Sequence, residues 1–143
     1  MRILVSACLL GIPCRYDGRE AKNEDVTRLG EKHTLIPFCP EIYGGLPTPR
    51  EPAERNGARV TTQSGVDVTA EYERGACAAL AAAQICGCRE AILQDRSPSC
   101  GAGVIHDGGF EGGLMPGDGV TAALLKANGI EVIPASEASA RFA

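Results

Sequence analysis

The chain has 143 residues, a formal net charge of −4 and a hydrophobic fraction of 44%. This length and apolar content suit one compact domain over residues 1–143 and exclude a disordered chain. An acidic balance without a cluster of Lys or Arg excludes a surface that follows nucleic-acid phosphates. No apolar run approaches the roughly 18 residues of a membrane span, so we expect no membrane partner.

Seven cysteines restrict the chemistry further. Their count is odd, and the residues after Met1 lack the basic region, long apolar stretch and cleavage site of a secretory signal. We therefore expect a cytoplasmic protein. In a reducing compartment, thiols at this density are typical of metal-binding or catalytic sites and not of a disulfide framework.

Four short apolar segments predict β-strands. They lie at residues 2–7, 34–38, 90–94 and 130–134. Helical patterns separate them, each beginning at a capping side chain. These are a short helix after Asn23, one over residues 70–86 between Thr69 and Gly87, and one over 119–128 after Asp118. Strands that alternate with helices predict an α/β fold, three-layered and Rossmann-like, with a mainly parallel sheet.

Two other regions carry turn signals. Residues 40–58 hold so many prolines and glycines that we expect no regular element there. A loop of this length in a compact domain is usually functional or disordered. Because it directly follows Cys39, we interpret it as a long Gly/Pro-rich active-site loop. Small hairpins are predicted in residues 59–68, around Ser64-Gly65, and in 101–119, around Asp107-Gly108-Gly109.

In the predicted helix over 119–128, we expect four residues to form the buried stripe. They are Val120, Ala123, Leu124 and Ala127.

Cys8, Cys39 and Cys100 follow three of the predicted strands. In an open α/β sheet, ligands bind in the crevice outside the carboxyl ends of the strands, so these thiols are expected to converge. Three thiolates with one open position suit a catalytic metal or an iron–sulfur cluster. Free cysteine is also a common small buried hydrophobe, and that interpretation stays open at this point. Cys14 lies in the loop just after Cys8. It is either a neighbour of the site or a part of it, and both interpretations stay open.

Other polar residues flank these cysteines. Glu41, on a turn behind Pro40, would serve as a general acid or base if partly desolvated, or as an ordinary surface carboxylate. Ser97 and Ser99 offer hydroxyls to a bound oxygen or to cluster sulfur, or form a plain Ser-Pro turn. Arg50, in the long loop, would bind an anionic or carbonyl group of a substrate.

The two histidines, His33 and His106, lie in polar segments and are expected at the surface. A hydrolytic triad is therefore disfavoured.

Six ordered motifs lie along the chain, within a match that runs from residue 2 to about 136. They are Ser6-Ala7-Cys8-Leu9-Leu10-Gly11, Cys14-Arg15-Tyr16-Asp17-Gly18, Cys39-Pro40-Glu41, Gly44-Gly45-Leu46-Pro47-Thr48-Pro49-Arg50, Ser97-Pro98-Ser99-Cys100-Gly101 and Pro116-Gly117-Asp118-Gly119-Val120-Thr121. Together they resemble the bacterial thiouracil desulfidase family, formerly catalogued as a domain of unknown function.

The resemblance implies a catalytic [4Fe-4S] cluster held by Cys8, Cys39 and Cys100, with the fourth iron free to bind the sulfur of a thiolated base. It also implies that Glu41 and a serine of the Ser97–Ser99 loop handle protons and orient the substrate. The implied reaction is a non-redox desulfuration of a 2-thiouracil-like base to its oxo form, with release of sulfide.

Alternatives from other classes stay open. They are a zinc-dependent or thiol-based enzyme, a non-enzymatic iron–sulfur or redox-sensing protein, and a structural domain with buried thiols. The oligomeric state and the identity of the physiological substrate also stay open.

Overall fold

The fold was obtained as a computed structural model, and the structure describes residues 1–142. The strands are β1 Arg2–Ser6, β2 Thr34–Phe38, β3 Ala53–Asn56, β4 Arg59–Thr62, β5 Glu90–Leu93, β6 Val104–His106, β7 Leu114–Pro116 and β8 Glu131–Pro134. The α-helices are α1 Glu24–Arg28, α2 Pro40–Tyr43, α3 Thr69–Cys86, α4 Val120–Ala127 and α5 Ala138–Arg141. Short 3-10 turns occupy Ala7–Leu10, Leu29–Glu31 and Ala135–Glu137.

The main sheet has four parallel strands in the order β2-β1-β5-β8. The two inner strands are buried along nearly their whole length, as their continuous apolar sequences predict. Pro37 lies in the edge strand β2, where a missing backbone N–H costs least. The predicted α/β class and parallel sheet are confirmed.

Helices cover both faces of this sheet. On one face, Leu4 and Leu93 pack with Ala79 of α3 and Leu125 of α4. On the other face, a separate core contains Ile3, Val5, Val26 of α1 and Ala138 of α5. The result is the predicted three-layer arrangement. At the C-terminus, Ala138–Arg141 forms α5, and Ala143 lies outside the described residues.

The expectation that residues 40–58 hold no regular element is wrong. Pro40 begins α2, because the first position of a helix needs no backbone N–H and suits the fixed φ of proline. Ala53–Asn56 then forms β3, which pairs antiparallel with β4.

The pairing of β3 with β4 forms a hairpin that the sequence did not predict. The hairpin turns at Gly57, whose φ of +62° is a conformation that glycine adopts without strain. The turn predicted around Ser64-Gly65 is also present, because Thr62 N–H donates to the carbonyl of Val66 at 2.8 Å and an isolated antiparallel bridge joins Thr61 and Asp67. The second predicted hairpin is formed by β6 and β7, with residues 107–113 as its loop.

Of the three predicted helix caps, one is confirmed and two are wrong. Asn23 caps α1 as predicted, with its Oδ1 accepting from the Val26 N–H at 3.1 Å. Thr69 lies inside α3, and its Oγ1 accepts from the N–H of Val60 at 2.9 Å instead of capping the helix. Asp118 does not cap α4, because its Oδ1 accepts from Gly103 N and Lys126 Nζ, at 2.8 and 2.9 Å.

The predicted buried stripe of α4 is wrong. The fully buried residues are Thr121, Ala122 and Leu125, whereas Ala127 is exposed. Thr121 can be buried because its hydroxyl is hydrogen bonded to that of Ser99 at 2.8 Å, which offsets the desolvation of both groups. None of the helices within residues 1–142 has the length and apolar character needed to cross a membrane.

Candidate functional site

A cavity of about 450 Å³ opens at the carboxyl ends of β1, β2 and β5. Cys8, Cys39 and Cys100 all line it, as the strand-end argument expects. Cys14 lines the same cavity, so four of the seven cysteines share this region. All four are free thiols.

Each of the three strand-end cysteines is fixed by local backbone structure. Cys8 lies in the 3-10 turn after β1, which ends at Gly11 with a φ of +95°. Cys39 occupies the position just before α2. The N–H of Cys100 donates to the Oγ of Ser97 at 2.9 Å. The thiols therefore sit on tight turns and not on mobile chain ends.

Cys14 connects two of these thiols. The Sγ of Cys39 lies 3.8 Å from the carbonyl oxygen of Cys14. A hydrogen bond with the thiol of Cys39 lowers the pKa of Cys14. Contact with Cys8 and burial outweigh this effect and raise the pKa of Cys14 to about 11. The thiol contact with Cys14, together with burial, raises the pKa of Cys39 well above 9.0.

Burial is the main cause of the high pKa of Cys100, about 12, and a hydrogen bond with Ser6 opposes it. Buried thiols close to one another favour the protonated form because neighbouring thiolates repel. A cationic group among them would reverse this preference and release protons as it binds.

Glu41 and Arg50 form a nearly buried ion pair in the cavity wall. Nη2 and Nε of Arg50 lie 2.6 and 2.9 Å from Oε2 of Glu41. Their side chains are only 15% and 7% exposed. Arg50 also donates from Nη2 to the carbonyl of Cys14 at 3.0 Å and from Nη1 to that of Pro47 at 3.2 Å. The guanidinium therefore fixes the carboxylate of Glu41 and connects it to the thiol-bearing loop.

The two serines of the Ser97–Ser99 loop have different surroundings. Ser97 lines the cavity, and its Oγ accepts from the N–H groups of Ser99 and Cys100 at 3.0 and 2.9 Å. Ser99 is fully buried, and its hydroxyl is bonded to that of Thr121. Ser97 thus presents its hydroxyl to the cavity, while Ser99 connects this loop to α4.

The sequence argument missed several residues of the cavity wall. Ser6 is buried and its Oγ accepts from Gln94 N at 3.0 Å, and both residues line the cavity. Tyr72 of α3 is also buried there, and burial, with the charge of Glu41, raises its pKa. A polar Ser6 at the end of an apolar strand is the signal that would have identified it.

The expectation that both histidines lie at the surface is wrong. His106 is half-buried and lines the cavity, and its buried Nδ1 has no hydrogen-bond partner within residues 1–142. His33 is half-buried as well, with its ring 5.5 Å from that of Phe142. Polar neighbours in sequence gave no sign of this, because His106 lies in β6 against the cavity and the ring of Phe142 packs on that of His33.

The donor set fits a cluster better than a single ion. A tetrahedral ion such as zinc binds each thiolate sulfur at about 2.3 Å, which brings the sulfurs close together. Within residues 1–142, no group of three or more His, Cys, Asp or Glu side chains is arranged to hold one metal ion. An iron–sulfur cluster binds each thiolate through a different iron, so it suits thiols spread around a cavity.

Thiols and a nearly buried carboxylate surround a cavity at the carboxyl edge of the parallel sheet. This arrangement is typical of α/β enzymes that bind a small substrate at that edge. The chain belongs to the 2-thiouracil desulfurase family, whose model matches residues 3–137. The resemblance drawn from the sequence motifs is confirmed, and with it the assignment as an enzyme.

Two relatives support this placement. The chain is 46% identical over 145 residues to the uncharacterized protein YbbK of Bacillus subtilis (strain 168). The alignment covers 94% of this chain and 96% of that protein. It is also similar to a solved structure described as the [4Fe-4S]-dependent thiouracil desulfidase TudS. That match has a TM-score of 0.89 and 51% identity and covers 95% of this chain and 91% of the other.

Proposed function

We propose that this protein is a [4Fe-4S]-dependent desulfidase that converts a thiolated nucleobase such as 2-thiouracil to its oxo form and releases sulfide. The observation that carries the proposal is the convergence of Cys8, Cys39 and Cys100 on one cavity that also contains Glu41. The name of the TudS structure supports the cofactor and the substrate class.

Cys8, Cys39 and Cys100 are the proposed ligands. With three protein ligands, a bound cluster supplies one iron without a cysteine as a Lewis acid for the thiocarbonyl sulfur. Cys14 is not assigned as a ligand in this proposal, although it contacts two of the three thiols.

Glu41 is the proposed general base. The ion pair with Arg50 holds the carboxylate of Glu41 in one position, which a base requires in order to accept a proton from a bound water. Because Glu41 and the backbone carbonyls of Cys14 and Pro47 already engage Arg50, its main effect is on Glu41. The substrate contact proposed for Arg50 then uses the face of the guanidinium that these bonds leave open.

Ser97 is the proposed hydroxyl that orients the substrate, since it lines the cavity and Ser99 does not. Its Oγ accepts two backbone N–H groups, so its own O–H proton is available to donate to a substrate oxygen or nitrogen.

The proposed reaction is non-redox. Water loses a proton to Glu41 and attacks the carbon that carries sulfur, the carbon–sulfur bond breaks, and a carbon–oxygen bond replaces it. One water and one thiocarbonyl give one carbonyl and one hydrogen sulfide, so no electron acceptor or donor is required.

The test is anaerobic purification, with visible absorption, iron and sulfide content, and conversion of 2-thiouracil to uracil measured on the same sample. We expect a brown protein with about four irons per chain, bound through cysteine thiolates, and one sulfide released per uracil formed. Replacing Cys8, Cys39 or Cys100 individually by Ala should abolish both cluster and turnover.

Exposed Cys77, on α3, provides the matched control, since Cys77→Ala should retain both. A colourless protein that iron and sulfide cannot reconstitute would exclude the proposed cofactor. A loaded cluster without conversion of any thiolated base would exclude the proposed reaction.

A further inference from the structure

Phe110 lies in the loop between β6 and β7 and lines the same cavity as the three thiols. Its backbone φ is 57°, in the left-handed region that residues with a Cβ rarely adopt. Gly108 and Gly112, in the same loop, also have positive φ, which glycine adopts without strain. Position 110 therefore carries a large aromatic side chain where the backbone favours glycine.

Glu54 holds this conformation in place. Its Oε1 accepts hydrogen bonds from the N–H groups of Gly108 and Phe110, at 3.0 and 3.1 Å. Glu54 belongs to β3 in the other hairpin and lines the cavity too. Hydrogen bonds to a carboxylate are stronger than neutral ones, so one side chain joins the two hairpins beside the cavity. Strained residues persist where their surroundings hold them, and they cluster at ligand sites.

The other phenylalanine and tyrosine residues of the cavity wall are engaged elsewhere. Phe38 stacks on Tyr43 with ring centroids 4.3 Å apart. Tyr72 is buried, close enough to Glu41 for the charge of Glu41 to act on it. Tyr16 has the guanidinium of Arg15 over its ring, 5.7 Å from the centroid. Within residues 1–142, no aromatic ring or guanidinium stacks on Phe110, which is half-buried.

We propose that Phe110 is a substrate-positioning residue whose ring packs on the face of a planar heterocycle bound in the cavity. The inference rests on the proposed function and deepens it, because it assigns the recognition of the ring itself. Stacking of a base on an aromatic side chain tolerates changes of base identity. Phe110 would therefore favour cyclic, planar thiolated substrates over acyclic thioureas, while other groups recognise the ring's edge.

The test compares wild-type holoenzyme with Phe110→Gly and Phe110→Tyr. The Kd of 2-thiouracil is measured by calorimetry with each variant placed in the slow Glu41→Gln background. KM and kcat are measured by uracil formation, cluster content by absorption, and stability by thermal unfolding. We expect Phe110→Gly to raise Kd and KM by roughly 5- to 100-fold, the range of base–aromatic stacking. Its kcat and cluster content should stay within about twofold, and Phe110→Tyr should match wild type, because a phenol ring stacks like a phenyl ring.

The thermal measurement separates a binding role from a structural one. Glycine relieves the strain at a positive φ, so Phe110→Gly should unfold at the same temperature as wild type or higher. A residue retained only for packing would instead lower that temperature when removed.

Glu54 tests the same idea from a second side. Glu54→Ala removes the acceptor that holds residues 108 and 110 and should raise KM without changing cluster content. Glu54→Gln should restore KM because its side-chain oxygen still accepts both hydrogen bonds.

Phe142 provides the control, because it is half-buried against the core away from the cavity lining. Phe142→Ala should lower the unfolding temperature and leave KM unchanged. If wild type is active but Phe110→Gly has unchanged Kd and KM, the proposed role of Phe110 is overturned and the proposed function is not. Wild-type holoenzyme that neither binds nor converts 2-thiouracil would overturn the proposed function and, with it, this inference.

Discussion

The carboxylate of Glu41 lies 2.6 Å from Nη2 of Arg50 in a nearly buried wall of the cavity. Glu41→Gln would keep the shape of the side chain but remove its capacity to take a proton from water. We expect kcat to fall about 10²- to 10⁴-fold, the usual contribution of a general base. Cluster content should stay at the wild-type level, because no thiol is changed. Steady-state kinetics together with iron and sulfide analysis measure both.

Glu73→Gln serves as control, because Glu73 is exposed on α3 and belongs to no cavity contact. It should retain wild-type kcat. Full activity in Glu41→Gln would remove that carboxylate from the mechanism, whatever the result for the control.

Ser97 and Ser99 should separate cleanly by mutation. Ser97→Ala leaves the N–H groups of Ser99 and Cys100 without their acceptor, so we expect reduced cluster content and reduced turnover. Ser97→Thr keeps a hydroxyl and should restore much of both. Ser99→Ala breaks the buried bond to Thr121 and should cost about 1–3 kcal/mol in the free energy of unfolding, with turnover retained once the cluster is loaded. Urea unfolding and iron analysis distinguish the two; equal effects on cluster content would contradict the assignment.

At the scale of elements, α2 is held against α3 by a close approach of backbones. A Cβ added at Gly75 would lie 2.0 Å from the carbonyl oxygen of Pro40, which precedes Glu41 and follows Cys39. Gly75→Ala must therefore separate the two helices and move the ligand and the base together. We expect a loss of about 1–3 kcal/mol in the free energy of unfolding, the usual cost of overpacking, and a lower kcat. Denaturant unfolding and kinetics provide the measurement.

Gly30→Ala is the matched control, since a Cβ there meets nothing closer than Cδ1 of Leu35 at 3.5 Å, an ordinary contact. It should leave stability within about 0.5 kcal/mol, as surface substitutions usually do. If Gly75→Ala behaved like the control, the close approach of α2 and α3 would have no role in positioning Glu41.

Elements with strong local signals were predictable from the sequence. Inner strands β1 and β5 are continuous apolar runs, and α3 ends at Gly87 with a φ of +70° as its sequence indicates. Convergence of Cys8 and Cys39 on one cavity followed from the position of strand ends in a parallel sheet.

Features set by distant contacts were not predictable in this way. The stripe of α4 shifts because buried Thr121 finds its hydroxyl partner in Ser99, 22 residues away. Helix α2 forms because Pro40 occupies its first position and Gly75 lets it approach α3. His106 enters the cavity wall through the pairing of β6 with β7. For the stripe of α4 and for helix α2, the determining partner lies far along the chain, where periodicity and composition carry no signal.

At the scale of the whole molecule, the proposed cluster ligands come from the ends of three different strands. Cys8, Cys39 and Cys100 are brought together only in the folded chain, so cluster binding should stabilise the fold by mass action. We expect loaded protein to unfold about 5 °C or more above protein stripped anaerobically with an iron chelator, because each kcal/mol raises the midpoint by several degrees at this size. Differential scanning calorimetry under nitrogen measures the difference. Cys100→Ala should unfold at one temperature whether or not iron and sulfide are offered, whereas Cys77→Ala, altered on an exposed face of α3, should keep the full shift. Equal midpoints for loaded and stripped wild-type protein would mean that the cluster does not bridge the three strand ends.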